Sequence, residues 1–172
     1  MEEKEYLNIG CGNTSIKNAV NMDIAKNEYA NPDIVGNVLD IPFPNERFKG
    51  IILSHILEHL SLSDHSKAML EMRRVLKPKG KLLIGVPDFE QCLKNYLENY
   101  LGQKDFWYKT IYGRGLYESD RHLCGITNEY LTDLLFTFGF GKLEWGKTDK
   151  KVASLVVLAE KAEEEQNDTC RD

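Results

Sequence analysis

Residues 7–12 of the chain read Leu-Asn-Ile-Gly-Cys-Gly, and this stretch decides the fold. The mainly apolar run Leu7–Ile9 predicts a short buried strand. Gly10 and Gly12 follow directly, and they permit a sharp turn and leave bare backbone against which a ligand can lie. We therefore expect a strand, a tight glycine turn and a ligand site beside that turn.

Further apolar runs along the chain predict six more strands. They are residues 19–24, 33–38, 51–54, 82–86, 142–145 and 153–159. Helical spacing of apolar residues predicts helices after the N-cap candidates Ser61 and Thr127, and from Phe89 to Leu101. This alternation predicts an α/β fold with a mostly parallel seven-stranded sheet, helices on both faces and a C-terminal antiparallel hairpin. Because about a dozen residues separate Gly12 from Asp23, any crossover helix there must be short.

The composition favours one compact domain. Of 172 residues, 42% are hydrophobic, which suffices for a single core. The net charge is −5 and no local basic patch offsets it, so we expect no nucleic-acid partner. Residues 1–5 are mostly charged and no apolar run could span a bilayer, so we expect a cytoplasmic protein without a membrane partner. We predict one domain over residues 1–160 and a polar, acidic, disordered tail over residues 161–172.

The cysteines predict free thiols in a reducing compartment. They show no CxxC pair and no spacing typical of secreted proteins, so we expect neither disulfides nor a zinc site. Cys11, between the two glycines, is interpreted as a small filler rather than a nucleophile. The other cysteines are Cys92, Cys124 and Cys170.

The glycine turn fits a dinucleotide poorly. A dinucleotide fingerprint needs a third glycine, here near Ser15, and an acidic residue about 20 positions further on. That third glycine is missing, and Asp23 comes early. A carboxylate at a strand end still suits ribose recognition, with a loop cap as the structural alternative. NAD is therefore the weaker interpretation of this turn.

Several segments in a fixed order resemble the class I S-adenosylmethionine-dependent methyltransferases, in particular those that act on small molecules. They are residues 7–12, Asp23, residues 36–44, residues 54–60 and residues 75–80, and the resemblance runs from Tyr6 to Glu160. It implies a Rossmann-like fold, S-adenosylmethionine as cofactor and S-adenosylhomocysteine as product. It also implies methyl transfer to an oxygen or nitrogen of a small-molecule acceptor, such as a sugar or related metabolite.

The resemblance also implies a cofactor site. The glycine backbone passes the methionine end of the cofactor, Asp23 accepts hydrogen bonds from the ribose hydroxyls, and Asn37 meets the adenine amino group. Asn8 and Asn37 stand where the family often has an acid, and these neutral amides favour a second hypothesis, a cofactor-binding module without turnover. A third hypothesis, an NAD-dependent oxidoreductase, is disfavoured by the glycine spacing. The expected cofactor-binding residues are Asn8, Gly10, Cys11, Gly12, Asp23, Asn37, Val38, Ser54 and His55.

Residues 89–125 are expected to form an acceptor-side insertion, because the helices that cover the active site in many relatives are lacking. Within it, residues 103–125 are rich in aromatic and cationic side chains. His122 is the first candidate for the general base, since imidazole titrates near neutral pH, although a purely structural role fits its neighbours equally well. Tyr112, Arg114 and Asp88 are expected to meet the acceptor, with lid packing as the alternative for the first two.

Two further patterns leave alternatives open. His55 and His59 are four positions apart and would share a helix face, as in a metal pair. No third ligand follows at metal-site spacing, and transfer from a sulfonium needs no metal, so we expect no metal site. The apolar stripe from Phe89 to Leu101 predicts either a core contact or the face of a homodimer.

Overall fold

A computed structural model describes residues 4–116, 120–146 and 150–163, and their strands form one seven-stranded sheet. The strand order is β3-β2-β1-β4-β5-β7-β6. Strands β1 to β5 are parallel, and β7 is antiparallel to both of its neighbours. The predicted fold class, with its C-terminal antiparallel hairpin, is confirmed. The strands are β1 (Tyr6–Ile9), β2 (Ala19–Asp23), β3 (Ile34–Val35), β4 (Phe48–Ser54), β5 (Leu76–Pro87), β6 (Phe140–Trp145) and β7 (Ser154–Lys161).

The helices all follow β4 along the chain. As predicted, Ser61 and Thr127 cap two of them, because each hydroxyl accepts a hydrogen bond from a backbone N–H three positions on. No helix joins β1 to β2 or β2 to β3, which agrees with the short distance between Gly12 and Asp23. Within the described ranges, none of the helices has the length and apolar character needed to cross a bilayer. The helices are α1 (Leu62–Val75), α2 (Phe89–Leu97), α3 (Lys104–Tyr112) and α4 (Asn128–Thr137), with 3-10 turns at Leu57–His59 and Tyr100–Gly102.

The main core lies on one face of the sheet. Leu7, Ile51, Leu82 and Ala159 are paired side by side across β1, β4, β5 and β7, and all four are buried. The buried residues of α1 and α4 belong to the same apolar cluster. Both helices therefore cover this face, and their packing supplies most of the burial that holds the parallel strands together.

The reverse face of the sheet is less completely covered. Ile52, Leu83 and Leu158 lie side by side on it and are half-buried, and Tyr6 is exposed. Asn8 continues this row on β1 and is buried. Side chains alternate between the two faces of a strand, so the polar Asn8 occupies the face opposite the main core.

Several element boundaries differ from the prediction, and three of the differences are the following. β5 begins at Leu76, because the residues that end α1 continue as extended chain beside β4, with a register shift between Phe48 and Gly50. α2 ends at Leu97 rather than Leu101. β7 runs to Lys161, one residue into the predicted tail; residues 164–172 lie outside the described residues.

The leucines of the apolar stripe from Phe89 to Leu101 face solvent. Leu93, Leu97 and Leu101 are exposed, whereas Cys92 and Asn95 are the buried residues of the helix. The core interpretation of this stripe is therefore wrong for those leucines. The helix instead buries the face that carries Cys92, which packs against Trp107 of α3 and Ala153. The homodimer face stays a prediction.

Arg74 of α1 fixes the loop between β3 and β4. Its guanidinium donates hydrogen bonds to the carbonyl oxygens of Ile41 (2.8 Å) and Phe43 (2.7 Å) and to the carboxylate of Glu71. Glu71 in turn accepts the backbone N–H of Ile41 at 2.7 Å. The two prolines of this loop restrict its backbone, and Arg74 and Glu71 satisfy its polar groups.

Arg74→Ala is expected to lower the free energy of unfolding by about 2–3 kcal/mol, because it removes charge-assisted hydrogen bonds and leaves loop carbonyls unpaired. Urea denaturation followed by circular dichroism measures this. The control is Lys67→Ala on the exposed surface of the same helix, which should change stability by no more than ~0.5 kcal/mol. Equal losses in the two variants would contradict the anchoring role.

Candidate cofactor and acceptor site

The glycine turn after β1 is bound to the end of β2. The backbone N–H groups of Gly10 and Cys11 donate to the carbonyl of Met22 at 2.8 and 3.2 Å. The N–H of Gly12 donates to Oδ2 of Asp23 at 2.9 Å. Gly10 and Gly12 have φ values of 68° and 51°, in the left-handed region that favours glycine.

A side chain at position 10 would also collide with its surroundings. A Cβ atom there would lie 1.9 Å from Cδ1 of Ile56, far inside van der Waals contact. The first glycine is therefore required both by its backbone angle and by the approach of Ile56. The turn consequently presents bare backbone to the adjoining cleft.

A cleft of about 280 Å³ adjoins the turn. It is bounded by the residues that follow β1, β2, β3 and β4, all at the carboxyl ends of parallel strands, where such sheets bind ligands. The sequence-predicted residues that line it are Gly10, Gly12, Asp23, Asn37, Val38 and His55.

Two of these side chains already make hydrogen bonds within the protein. Oδ2 of Asp23 accepts the N–H of Gly12, so this carboxylate caps the turn as well as facing the cleft. Oδ1 of Asn37 accepts the N–H of Leu39 at 2.9 Å, an Asx turn that shapes the loop after β3. The oxygen that is predicted to accept a hydrogen bond from the adenine therefore already accepts one from the protein's own backbone.

Three predicted cofactor residues do not line the cleft. Asn8 is on the reverse face, where its Nδ2 donates to the carbonyl of Thr14 and to Oδ1 of Asn21. Ser54 lies beside Gly85 on that same face. Cys11 is buried, and burial raises the pKa of its thiol, in keeping with its interpretation as a filler.

The sequence did not single out the loop after β2, which forms one wall of the cleft. Asn27 and Tyr29 line the cleft there. The loop folds back over the glycine turn, because the N–H of Asn31 donates to the carbonyl of Gly12 at 2.9 Å. Asn27 Oδ1 accepts the N–H of Tyr29 at 2.8 Å, a local turn that asparagine often forms and the one signal that could have pointed to this wall.

The other end of the cleft is formed by imidazoles around one buried carboxylate. His55 and His59 line the cleft, and Glu58 between them is only 2% exposed. Nδ1 of His55 lies 3.0 Å from Oε1 of Glu58. The ring of His122 packs edge-on against His59 with centroids 4.8 Å apart.

Backbone hydrogen bonds hold His122 in this position. The N–H of Leu123 donates to the carbonyl of Glu58 at 2.7 Å, and that of His122 donates to the carbonyl of Tyr112 at 3.1 Å. The structure thus places His122 behind His59, in a small second pocket that Glu58 also lines, rather than in the lining of the main cleft.

The pKa values of His55 and His122 are shifted in opposite directions. The hydrogen bond to Glu58 raises the pKa of His55, and burial lowers the pKa of His122 against the opposing charge of Glu58. At neutral pH His122 is therefore uncharged and able to accept a proton.

A family model described as "Methyltransferase domain" matches residues 7–84, the segment that holds the glycine turn, Asp23 and Glu58. This match covers a little less than half of the chain, and over it the chain is similar to the methyltransferase domain family. A solved S-adenosylmethionine-dependent methyltransferase from Methanosarcina mazei shares the fold, with a TM-score of 0.66 and 21% identity over 95% of each chain.

Curated relatives match over shorter lengths. An uncharacterized protein of Methanocaldococcus jannaschii is 28% identical over 138 residues, which cover 67% of this chain and 60% of that protein. The ubiquinone/menaquinone biosynthesis C-methyltransferase UbiE of Marinomonas sp. is 37% identical over 70 residues, which cover 37% of this chain and 27% of that enzyme. This chain thus spans 60% of the length of the first relative and 27% of the length of the second.

The residues predicted to bind the acceptor are not gathered at the cleft. Asp88 caps α2, with its Oδ1 accepting the N–H of Gln91 at 3.0 Å, so its prediction as a cleft-facing group is wrong. The guanidinium of Arg114 is exposed and 3.6 Å from the carboxylate of Asp120. Tyr112 is exposed and stacks beside Tyr108. A role for Tyr112 and Arg114 in acceptor binding stays a prediction.

Titration of the imidazoles by NMR tests how the Glu58 carboxylate affects the pKa values of His55 and His122. We expect the pKa of His55 to lie above the ordinary value of about 6.5 and that of His122 to lie below it. Glu58→Gln should lower both, because the carboxylate favours both imidazolium forms. The His55–Glu58 pair should stabilise the fold at pH values below the ordinary imidazole pKa, and this contribution should be lost as the pH rises through the raised pKa. Unchanged imidazole pKa values in the variant would contradict the pairing.

Proposed function

We propose that this chain binds S-adenosylmethionine in the main cleft and transfers its methyl group to an oxygen or nitrogen of a small-molecule acceptor. The observation that carries the proposal is the pairing of Gly12 N–H with the carboxylate of Asp23 at the mouth of the cleft. This pairing sets a charged acceptor of hydrogen bonds beside bare backbone, as an adenosyl amino acid requires.

The residues present fit this cofactor. Gly10 and Gly12 adopt the left-handed backbone that forms the tight turn beside the cleft, and Asp23 offers carboxylate oxygens for two ribose hydroxyls. Val38, which is buried at the cleft wall, supplies apolar surface for the adenine ring. Tyr29 and Asn27 complete the wall on the side of β2.

The cofactor's sulfonium supplies an activated methyl group, so the chain has to align the acceptor for in-line displacement and take up its proton. When bound, the cofactor would supply the methyl group: its carbon–sulfur bond would break as the bond to the acceptor atom forms, and it would leave as a neutral thioether. The proton is assigned to His122, which burial keeps uncharged and which borders His59 at the end of the cleft. The carboxylate of Glu58 faces the imidazoles of His59 and His122, and it stabilises the positive charge that forms on His122 when the proton arrives.

We further propose a chemical class for the acceptor. The exposed aromatic and cationic groups of residues 103–116 favour a planar, hydroxylated or anionic small molecule. The methyltransferase named UbiE is a C-methyltransferase of quinone biosynthesis, and transfer to carbon is therefore the outcome to be distinguished by product analysis. A cytosolic location and a homodimer stay predictions.

Titration calorimetry with S-adenosylmethionine, S-adenosylhomocysteine and NAD tests the cofactor. We expect both adenosyl amino acids to bind and NAD to bind weakly or not at all. Asp23→Ala should weaken cofactor binding by about 1–3 kcal/mol, because it removes a charge-assisted pair of hydrogen bonds.

The matched control is Glu28→Gln, which removes a negative charge from the adjacent loop at a position that does not line the cleft. It should leave affinity unchanged. Binding of NAD alone would sink the proposal, and an Asp23→Ala affinity equal to that of the native chain would refute the ribose contact. Cofactor binding without turnover of any acceptor pool would favour the binding-module hypothesis instead.

A further inference from the structure

Glu58 has an unusual environment for a carboxylate. It is only 2% exposed, and within the described part of the chain its Oε2 atom has no hydrogen-bond partner. Its other oxygen, Oε1, is 3.0 Å from Nδ1 of His55. An unpaired buried carboxylate oxygen costs several kcal/mol unless a cation or donor compensates it. The hydrogen bond from His55 therefore satisfies one of the two oxygens and leaves the other free to bind a cation.

Two imidazoles converge on the same place. One ligand atom each from Glu58, His59 and His122 lies within 4.8 Å of the other two. The three residues come from the 3-10 turn after β4 and from the segment before α4. Spacing along the sequence offered no third ligand for the His55 and His59 pair, whereas the fold brings His122 to His59 and turns Glu58 inward.

The tautomer of His59 is fixed by its hydrogen bond. Nδ1 of His59 lies 3.0 Å from the carbonyl oxygen of Arg121, and a carbonyl oxygen can only accept, so Nδ1 carries the proton. Nε2 therefore has a free lone pair. An imidazole whose other nitrogen donates to a backbone carbonyl is the usual arrangement of a metal-bound histidine, because the hydrogen bond orients the ring.

We propose that Glu58, His59 and His122 form a binding site for a divalent transition-metal ion, with zinc as the first candidate. Two imidazoles and one carboxylate are a ligand set that zinc accepts while keeping a fourth position open. Zinc needs ligand distances of about 2.0–2.2 Å, so each of the three ligand atoms, which lie within 4.8 Å of one another, would have to move inward by at most roughly 0.8 Å. His59 and His122 are only half-buried, which leaves their rings room for this movement.

The site lies where the main cleft meets the small second pocket. His59 lines the cleft, whereas Glu58 and His122 line the pocket behind it. The open position would therefore face the acceptor side, where it would bind an acceptor hydroxyl and lower its pKa, and the released proton would pass to solvent. In the metal-bound protein His122 is a ligand rather than the base. This catalytic role rests on the proposed function, whereas binding of the ion does not.

Zinc titration of the metal-stripped full chain tests the site, with calorimetry for affinity and imidazole NMR for location. We expect one ion per chain and shifted resonances of His59 and His122. His59→Gln and Glu58→Gln should each weaken binding about 10–100-fold, as loss of a ligand or its orientation does. His59→Gln is the safer variant for folding, since its side chain is half-buried at the cleft.

Two controls isolate the site from other zinc binders. Cys124→Ser should leave affinity unchanged, and the cobalt-substituted protein should show no thiolate charge-transfer band, because the proposed ligands contain no sulfur. Asp23→Ala should bind zinc normally while losing affinity for S-adenosylmethionine, which separates a failure of the metal site from a failure of the cofactor site.

Two results would overturn the proposal. One is the absence of zinc-induced shifts at His59 and His122. The other is zinc affinity that is equal in the native chain, His59→Gln and Glu58→Gln. Either result would leave His55 as the only hydrogen-bond partner of the Glu58 carboxylate among the described residues.

Discussion

The backbone N–H of Gly12 donates a 2.9 Å hydrogen bond to Asp23, and the shape of the cleft depends on this contact. Together with the two N–H groups that converge on Met22, it draws the chain after β1 onto the end of β2. The loop after β2 then folds back onto the same turn through the carbonyl of Gly12. Asp23 thus serves both of the roles that its position allowed, since it caps a loop and faces the cleft. A cofactor would meet a carboxylate already oriented by the protein, which lowers the entropic cost of binding.

The opposite end of the cleft is organised by Glu58. Its carboxylate pairs with His55, and its backbone carbonyl accepts the N–H of Leu123, so the residue joins the turn after β4 to the segment that carries His122. This explains how the segment that carries His122, which has no apolar period of its own, is held against the sheet. It also means that the polar chemistry of the site and the attachment of this segment depend on the same residue, the first through its carboxylate and the second through its backbone carbonyl.

Short-range patterns predicted the strands, the two helix caps and the glycine turn correctly, because each depends on neighbours along the chain. The ribose contact of Asp23 stays a prediction. Asn8 was misassigned because strand alternation turns its side chain to the reverse face, where Asn21 binds it. Asp88 followed the same strand-end argument as Asp23 but caps a helix that starts at the next residue. The meeting of Glu58 with His122 could not be predicted, since it joins distant segments through backbone hydrogen bonds that no local pattern encodes.

The order of strands has a consequence for how the chain folds during synthesis. β7, the last strand along the chain, lies between β5 and β6. Until residues 154–161 have left the ribosome, β5 has an unpaired edge and β6 has no strand to join. The parallel half of the sheet can form earlier, whereas its antiparallel half must wait for the last strand to insert. A nascent chain stalled before this point would expose the β5 edge and become a target for chaperones or for pairing with another chain.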